Sequence, residues 1–495
     1  MKIIKNRFSF TLVLLTLILA IFSVICLKSV RTDDQSDERL ECFMILAGKE
    51  TTSDGSVLLA HNNDLSGKEA SLIEKYPRGN HKKNDYVQFP SGLRIPQVSE
   101  TCEWMALRIY TGFAEGDAVA VNEFQVAIAG GLALGDDRNE KAVIADPLIK
   151  KGLTGGVRYI ALQRSKTARE CVEMIGSLYT KYGVTYPSGV GIADPDEIWY
   201  IESGGGRSWA AIRIPDDSVW VQANGYRIGE IDFKDKDNFI TSPGIRSFAQ
   251  KKGLWDPDES KFHFAKAFGR KKRTDKNRFY NSRRVWRGIS LLAPSLKLDP
   301  DLKKFPLFIK PDKKIGVEKL LSILRDYYGG TPFNIYSDQR KHKNERAIAV
   351  PGSVHTNVLQ LRGWIPGDIG AILWAGVGPT PFTIYTPYYF GVNEIAKPFN
   401  TASGEYDRES AFWIFRSLCD LVTPKFNEAA GQIISEWEKF ESNEVGNQSD
   451  IEKKAIDLFH KNKKELKLWL TYYSSHLGLR SLEKAKIWRA KLKKD

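Results

Sequence analysis

Two short apolar runs near the start of the chain flank a polar connection. The runs cover residues 42–47 and 56–60, and the connection ends in an Asp-Gly pair that is typical of a turn. This pattern predicts an antiparallel hairpin. Because a hairpin brings the start of its first strand beside the end of its second, we expect Cys42 to lie close to the polar residues 61–64.

The rest of the chain mixes helix and strand patterns. The clearest helix is predicted over residues 167–182, where Thr167 and Glu170 form a capping box and Gly183 ends the apolar repeat. Strand patterns occur at 103–110, twice within 118–133, and at 190–193, 198–202, 209–214, 219–223, 347–350, 358–361, 369–374 and 382–385.

The order of these elements indicates the fold class. Strands come in two blocks with hairpins predominating, and no regular alternation of strand and helix is present. From residue 408 onward the pattern is helical and highly charged, with a break predicted at 441–450. The sequence therefore predicts an α+β protein in which helices cover two stacked, mainly antiparallel sheets.

The first 41 residues have the pattern of a targeting segment. Basic residues precede an uncharged run at 8–27, which is the plan of an export signal. At about 1.5 Å per residue the run is also long enough to cross a bilayer core of about 30 Å, so a retained anchor is the alternative. Residues 28–41 are too polar to pack and indicate a linker or pro-segment. We therefore expect an exported protein that contacts the membrane only if residues 1–27 stay uncleaved.

Composition argues against several other classes of protein. The formal net charge is +13, but the basic residues are scattered or gathered at 270–273 and in the tail, without a nucleic-acid recognition motif. The five cysteines form no CxxC pair, which argues against a disulfide framework in an exported protein. The seven histidines show no metal-binding spacing. We expect no nucleic acid, no metal and no cofactor.

An ordered series of motifs gives the chain a family resemblance. It resembles the dipeptidase A and secernin family of N-terminal-nucleophile (Ntn) hydrolases from Cys42 to about Phe415, and the last eighty residues match loosely. The matching pieces are Cys42 with GKETTSDGSVLLAHNND, then VNEFQVAIAGG, SKTARECVEMIGSLYTKYG, IADPDEIWYIESGGGRSWAAIRIPDD, VQANGYRI, RVWRGISLLAPS, LRDYYGGTPFN, VLQLRGWIPGDIGAILWAGVG and IYTPYYFG.

The resemblance implies a domain organisation and a nucleophile. It implies a four-layer αββα sandwich over residues 42–415, followed by a charged helical region at 416–495. It also implies that Cys42 is exposed as the mature N-terminus. Whether the protein forms a homo-oligomer is left open.

The chemistry of Cys42 follows from general requirements. Amide cleavage needs a nucleophile, a proton acceptor and donors for the developing oxyanion. If the bond before Cys42 is cut, one residue supplies both a thiol, with an ordinary pKa of about 8.5, and an α-amine, with an ordinary pKa of about 8. A proton can then move from sulfur to nitrogen, and Cys42 can form a thioester that water hydrolyses. Before processing Cys42 has only an amide nitrogen, so the precursor is expected to be inactive.

The resemblance also suggests residues that support the nucleophile. Asp64 matches the acidic position that holds the terminal amine. Asn122 and Asn224 match oxyanion donors or substrate binders, although either Asn is also explained as a turn residue. Arg227 and Arg346 are candidates for binding a substrate carboxylate, because Arg binds one bidentately, or they form surface ion pairs.

One position departs from the family pattern. The residue three before Asp64 is usually Arg in this family, and here it is His61. A neutral His would neither favour a thiolate electrostatically nor form a guanidinium fork, whereas a protonated His would do only the first. The presence of His61 makes the expected substrate range and turnover rate less certain, but it affects the predicted fold less.

The function expected from the resemblance is thiol-dependent hydrolysis of dipeptides or small peptides. One alternative is a hydrolase of non-peptide amides, such as acyl-amides or conjugated amino acids. Another is a non-catalytic, secernin-like protein, which His61 favours slightly. The joint presence of Cys42, Asp64, Asn122 and Asn224 argues for an enzyme.

Overall fold

The structure is a computed structural model that describes residues 42–494, apart from 111–117, 259, 273 and 276. The segments predicted as a signal or anchor (1–27) and as a linker (28–41) lie outside the described residues. Of the helices within the described ranges, none is both long and apolar enough to cross a membrane.

The strands are mostly short, and many are buried on both faces. In chain order they are β1 Phe43–Ala47, β2 Val57–Asp64, β3 Ser71–Tyr76, β4 Gly79–Asn80, β5 Tyr86–Gln88, β6 Arg94–Pro96, β7 Glu100–Thr101, β8 Trp104–Ile109, β9 Ala118–Asn122, β10 Ala127–Ala133, β11 Ser188–Ala193, β12 Ile198–Ser203, β13 Trp209–Ile214, β14 Val219–Gln222, β15 Phe239–Thr241, β16 Ser353–Leu361, β17 Ile372–Val377 and β18 Thr386–Tyr389.

The helices lie between β10 and β11, between β15 and β16, between β16 and β17, and after β18. In chain order they are α1 Glu140–Ala145, α2 Val157–Leu162, α3 Ala168–Tyr182, α4 Ile245–Lys251, α5 Phe264–Phe268, α6 Arg283–Leu292, α7 Val317–Leu324, α8 Gly367–Gly370, α9 Ala411–Val422, α10 Phe426–Lys461 and α11 Lys463–Leu492. A π-helical turn, Asn277–Ser282, leads directly into α6.

Two large antiparallel sheets organise the described part of the chain. The first has the strand order β14-β1-β2-β16-β17-β18, and the second has the order β15-β13-β12-β11-β10-β9-β8-β3. Strand β1 is therefore central in the first sheet, between β14 and β2. This confirms the predicted α+β class with two mainly antiparallel sheets.

The two sheets face each other, and helices cover their outer faces. Strand β8 shows this by alternation: Met105 and Leu107 join the core between the sheets, whereas Trp104 and Ala106 join the core beneath α2 and α3. The approach of the sheets is close at Gly191, where a Cβ atom would lie 2.8 Å from the Met44 sulfur. The open end of the β1–β2 hairpin is thus enclosed in the interior.

The predicted hairpin is present, and its register is now defined. Phe43 pairs with Asn62 and Met44 with His61, so Cys42 lies opposite Asn63 one step further along the ladder. Strand β2 continues four residues beyond the predicted end, to Asp64. The expectation that Cys42 lies beside residues 61–64 is confirmed.

The predicted helix at 167–182 is also confirmed as α3. The Thr167 side chain accepts a hydrogen bond from the Glu170 backbone N–H, as a capping residue should. The next residue after the helix, Gly183, has a φ of 70°, in the left-handed region that favours glycine.

Two predicted strands are absent because side chains bind their backbones. Ile348, within the predicted strand 347–350, gives its carbonyl to the Asn62 amide at 2.9 Å. In the predicted strand 382–385, Arg325 donates to the Thr383 carbonyl and the Tyr385 N–H donates to Glu441. Sequence patterning did not reveal these long-range side-chain contacts.

The predicted break at 441–450 is wrong, because α10 runs unbroken through it. Buried carboxylates along this helix hold it in place: Glu441 pairs with Arg325 at the end of α7, and Glu452 pairs with Arg362, directly after β16, at 2.7 Å. Residue 415, where the family resemblance ends, lies inside α9, and side chains of α9, α10 and α11 belong to the same hydrophobic core as the first sheet. The C-terminal helices therefore share the core of the sheets.

Candidate active site

The thiol of Cys42 is buried between the two sheets, with 2% of the residue exposed. Its Sγ lies 3.4 Å from the Oδ1 of Asn63, which is the acceptor for the S–H group. The register of the β1–β2 hairpin produces this contact, since residues opposite each other on neighbouring strands point to the same face. The hairpin thus gives the thiol a fixed direction.

A chain of buried hydrogen bonds continues from Asn63 away from the thiol. The Asn63 Nδ2 lies 3.3 Å from His355 Nε2, and His355 Nδ1 lies 3.0 Å from the Ser71 hydroxyl. Because the Asn63 amide nitrogen can only donate, His355 accepts through Nε2 and carries its proton on Nδ1. Burial lowers the pKa of His355 to about 3, so its ring is neutral at working pH.

Arg284 binds the same cysteine from the helix side of the sheet. Its side chain is fully buried, and its Nη1 donates to the Cys42 carbonyl at 2.9 Å. The helix α6 places it there by turning its buried residues Val285, Ile289 and Leu292 toward the core. Gly288 allows this approach, since a Cβ atom there would lie 2.7 Å from Val221 Cγ1.

Asp64 lies between two guanidinium groups at the end of β2. Its Oδ2 is 3.1 Å from Arg346 Nη2 and 3.8 Å from Arg284 Nη1. Both Asp64 and Arg284 are fully buried, so the charges are compensated within the protein. The carboxylate thus holds two guanidinium groups at the end of β2, and one of them, that of Arg284, also binds Cys42.

The structure brings Asn224 into the same cluster. Its Oδ1 accepts from Arg284 Nη2 at 3.1 Å, and its Nδ2 donates to the Ala133 carbonyl at 3.1 Å. Asn281, in the π-helical turn, donates to the Asn224 carbonyl and accepts from Arg284. Arg284 is therefore the centre of a network that joins Cys42, Asp64 and Asn224.

His61 lies on β2 but points into a recess of the opposite sheet. A Cβ atom added to Gly130 would lie 2.6 Å from the ring, and Gly130 itself has a φ of 90° beside an irregularity in the β10–β11 register. Within the described part of the chain, neither ring nitrogen of His61 has a hydrogen-bond partner. Burial, with smaller contributions from His355 and Arg158, lowers the pKa of His61 well below its usual value. The ring is neutral and fills a space.

Asn122 has the turn role that the sequence left open. Its Oδ1 accepts from the backbone N–H groups of Phe124 and Val126, and its Nδ2 donates to the carbonyls of Leu162 and Ser165, all at 2.8–3.0 Å. These four bonds use every donor and acceptor of the amide. The structure thus commits Asn122 to the β9–β10 turn and the helix layer.

The two predicted substrate-binding arginines lie in different places. Arg346 is occupied by Asp64 and belongs to the cluster around Cys42. Arg227 stands apart from that cluster: it donates to the Pro306 carbonyl at 2.6 Å and lies over the Trp220 ring, in the wall of a neighbouring cavity.

Sequence reasoning missed Arg284, Asn63 and His355. Arg284 is 242 residues from Cys42 in the chain, and a basic residue on a helix is normally exposed. The sequence did contain a clue to Arg284, because this residue begins the matching motif RVWRGISLLAPS, directly before the apolar residues of α6. Asn63 could be identified only once the exact register of the hairpin was known.

Together these residues form a site suited to nucleophilic attack. A buried thiol has a defined acceptor, Arg284 binds the carbonyl of the same cysteine, and Asp64 links that guanidinium to Arg346. Charges act strongly in such buried surroundings. Such an arrangement favours negative charge as it develops on sulfur or on a carbonyl oxygen. Within the described residues, no three His, Cys, Asp or Glu side chains are placed to hold a metal ion.

Comparisons with known proteins place this site in a family context. The family model described as peptidase family C69 matches residues 41–439. A "Probable dipeptidase" from Latilactobacillus sakei is 29% identical over 388 residues, which cover 77% of this chain and 80% of the relative. One from Salmonella dublin is 30% identical, covering 71% and 82% respectively. A "Probable dipeptidase B" from Streptococcus pyogenes serotype M1 is 25% identical, covering 92% and 93%.

Proposed function

Because this chain belongs to peptidase family C69, we propose that it is a thiol-dependent dipeptidase with Cys42 as its N-terminal nucleophile. The relatives' names support the substrate class, and the observation that carries the mechanism is the placement of Cys42. Its thiol faces one acceptor, Asn63, while its backbone is held by the buried guanidinium of Arg284. In this proposal the stacked sheets form an Ntn-hydrolase sandwich.

The proposal requires removal of residues 1–41. The family match begins at residue 41, directly before Cys42, which supports a functional domain that starts there. Export guided by residues 1–27, followed by cleavage of the linker, would deliver such a chain. Once the bond before Cys42 is cut, the residue gains an α-amine that serves as the base.

Acylation follows from the positions of these groups. The α-amine takes the proton of the Cys42 thiol, and the thiolate attacks the carbonyl carbon of the peptide bond. Arg284 and Arg346, oriented by Asp64, stabilise the negative charge of the tetrahedral intermediate. In this proposal Asn224 releases the Ala133 carbonyl, to which its Nδ2 now donates, and donates to the oxyanion instead. The intermediate collapses as the ammonium protonates the leaving amine, and a thioester remains.

Deacylation reuses the same base. The α-amine removes a proton from water, the hydroxide attacks the thioester carbonyl, and the Cys42 thiolate leaves. The ammonium then returns its proton to sulfur, which restores the starting state. Asn63 accepts the S–H again and fixes the direction of the thiol for the next cycle. His61 and Asn122 take no part in these steps.

A panel of dipeptides tests this function directly. The mature protein beginning at Cys42 should release free amino acids, and the Cys42→Ala variant should release none. The Cys102→Ala variant is the matched control, because Cys102 lies outside the site and should leave turnover unchanged. Full activity in Cys42→Ala would remove this residue from the mechanism. Hydrolysis of acyl-amides without hydrolysis of dipeptides would assign a different substrate class.

A further inference from the structure

A large cavity lies beside the catalytic cluster. Its volume is about 1180 Å³, and its wall includes Ala223 and Gly225 on either side of Asn224. Asn281 and Val285, on either side of Arg284 in the chain, line it too. The cavity is therefore bounded by the same segments that carry the catalytic network, which makes it the natural place for a substrate beyond the scissile bond.

The cavity has a strong excess of cations. Six exposed basic residues from three separate segments line it, and none of the six has an ion-pair partner among the described residues. They are Lys141, Lys266, Arg270, Lys271, Lys303 and Lys304. Because these charges line one concave surface, their electrostatic potentials add and make the potential inside the cavity positive.

The acidic residues of the lining are engaged elsewhere. Asp137 accepts from the Tyr226 backbone N–H at 2.8 Å and from Asn277 Nδ2 at 3.1 Å. Asp256 accepts from the Asp258 N–H at 2.9 Å. These carboxylates hold loops in place. Their charges remain, but two carboxylates stand against the six basic side chains of the lining, so the field inside the cavity is positive.

The size and the remaining lining indicate the kind of anion. Trp255, Phe305 and Leu307 add apolar surface among the cations. A volume of 1180 Å³ exceeds the roughly 300–1,000 Å³ of typical small-molecule pockets, so a peptide with extended side chains fits. A ligand that combines methylene groups with carboxylates matches both features.

We propose that this cavity binds acidic side chains of peptide substrates, so that the enzyme prefers dipeptides and short peptides containing Asp or Glu. The inference rests on the dipeptidase function proposed above. Long-range attraction by several lysines raises the association rate of anionic ligands and is screened by salt. It therefore predicts a preference that depends on ionic strength.

Isosteric substrate pairs isolate the charge. We expect kcat/KM for Ala-Glu and Glu-Ala to exceed that for Ala-Gln and Gln-Ala by about tenfold at low salt, and by much less at ~1 M ionic strength, where the Debye length is about 3 Å. The Lys303→Glu/Lys304→Glu variant should bring the ratio close to one. A Lys82→Glu/Lys83→Glu variant changes the charge equally outside the cavity lining and should retain the preference.

The outcomes separate this inference from the proposed function. A Glu-to-Gln ratio near one in the wild-type protein, or a ratio that Lys303→Glu/Lys304→Glu leaves intact, overturns the cavity assignment while the dipeptidase stands. If no dipeptide is cleaved, the dipeptidase function fails instead. Calorimetric binding of Ala-Glu and Ala-Gln to Cys42→Ala then tests the cavity assignment independently of catalysis. Tighter binding of Ala-Glu supports the assignment, and equal binding refutes it.

Discussion

Asn63 stands opposite Cys42 across the β1–β2 hairpin, with 3.4 Å between its Oδ1 and the Cys42 Sγ. The same amide is held from behind by His355, whose other nitrogen contacts Ser71. The direction of the thiol is therefore set by a buried hydrogen-bond chain that reaches the neighbouring sheet. In the proposed mechanism Asn63 acts through Cys42, as a positioning residue for it.

The Asn63→Asp substitution should change how activity depends on pH. A carboxylate beside the sulfur disfavours the thiolate, so the acid limb of the kcat/KM profile should move to higher pH by about one unit. Asn62→Asp is the matched control. Asn62 lies on the other face of β2 and donates to the Leu324 and Ile348 carbonyls. It should lower stability and leave the limb in place. Identical profiles for wild type and Asn63→Asp would exclude the positioning role.

Arg284→Lys should lower turnover without unfolding the protein. A guanidinium reaches the Cys42 carbonyl and Asn224 Oδ1 at once, whereas an ammonium is a single point charge. We expect kcat to fall about 10²- to 10³-fold, as with loss of an oxyanion donor. Steady-state kinetics and a thermal melt measure both properties.

Arg287→Lys provides the comparison for that variant. Arg287 lies one turn further along α6 and pairs with Asp326 at 2.6 Å, outside the cluster around Cys42. Its replacement should change kcat by less than about twofold, as expected of a substitution that touches no transition-state interaction. Equal losses in the two variants would mean that α6 contributes only structure.

The β1–β2 hairpin and helix α3 were predictable because local sequence rules determine them. Alternating apolar runs around a turn set β1 and β2, and a capping box set α3, without help from distant residues. The family resemblance then supplied Asp64 and Asn224 as companions of Cys42, and both lie in its network.

The remaining errors share one physical origin, which is long-range side-chain contact. Weak helix formers at 441–450 suggested a break, but Glu441 and Glu452 pair with the distant residues Arg325 and Arg362 and hold α10 in place. Arg284 escaped notice because only the folded chain shows that its charge is buried against Asp64. Sequence pattern records burial of apolar groups far better than burial of paired charges.

Two buried histidines should make stability depend on pH. The folded-state pKa values of His61 and His355 are lowered, that of His355 to about 3, whereas the unfolded chain is protonated below about 6.5. The unfolded state therefore binds more protons, and the free energy of unfolding falls as pH drops from about 6.5 toward 3. Each histidine contributes about 1.4 kcal/mol per pH unit.

His61→Leu isolates one of these contributions. Its ring makes no hydrogen bond, so an apolar replacement leaves no partner unsatisfied. Urea unfolding between pH 6 and 4 should show a slope smaller than wild type by about 1.4 kcal/mol per pH unit. Parallel slopes in the two proteins would show that His61 is protonated in the folded state.

The Arg325–Glu441 pair should be essential for docking of the C-terminal helices. Glu441 on α10 accepts from both terminal nitrogens of Arg325 and from the Tyr385 N–H, all buried. Arg325→Met strands a buried carboxylate and should lower the free energy of unfolding by about 3–5 kcal/mol. Adding Glu441→Gln should recover part of that loss.

The matched control is Asp457→Asn, which removes the exposed ion pair with Lys461 and should lower the free energy of unfolding by less than about 1 kcal/mol. Similar losses for Arg325→Met and Asp457→Asn, by denaturant titration, would contradict this coupling.

The mass and N-terminal sequence of the active protein test the central claim most directly. The full-length chain should be expressed, activity on a dipeptide followed over time, and intact mass recorded in the same samples. We predict that activity appears together with a species that begins at Cys42, since only that species has an α-amine on the nucleophile. A fully active protein that retains residues before Cys42 would contradict the mechanism.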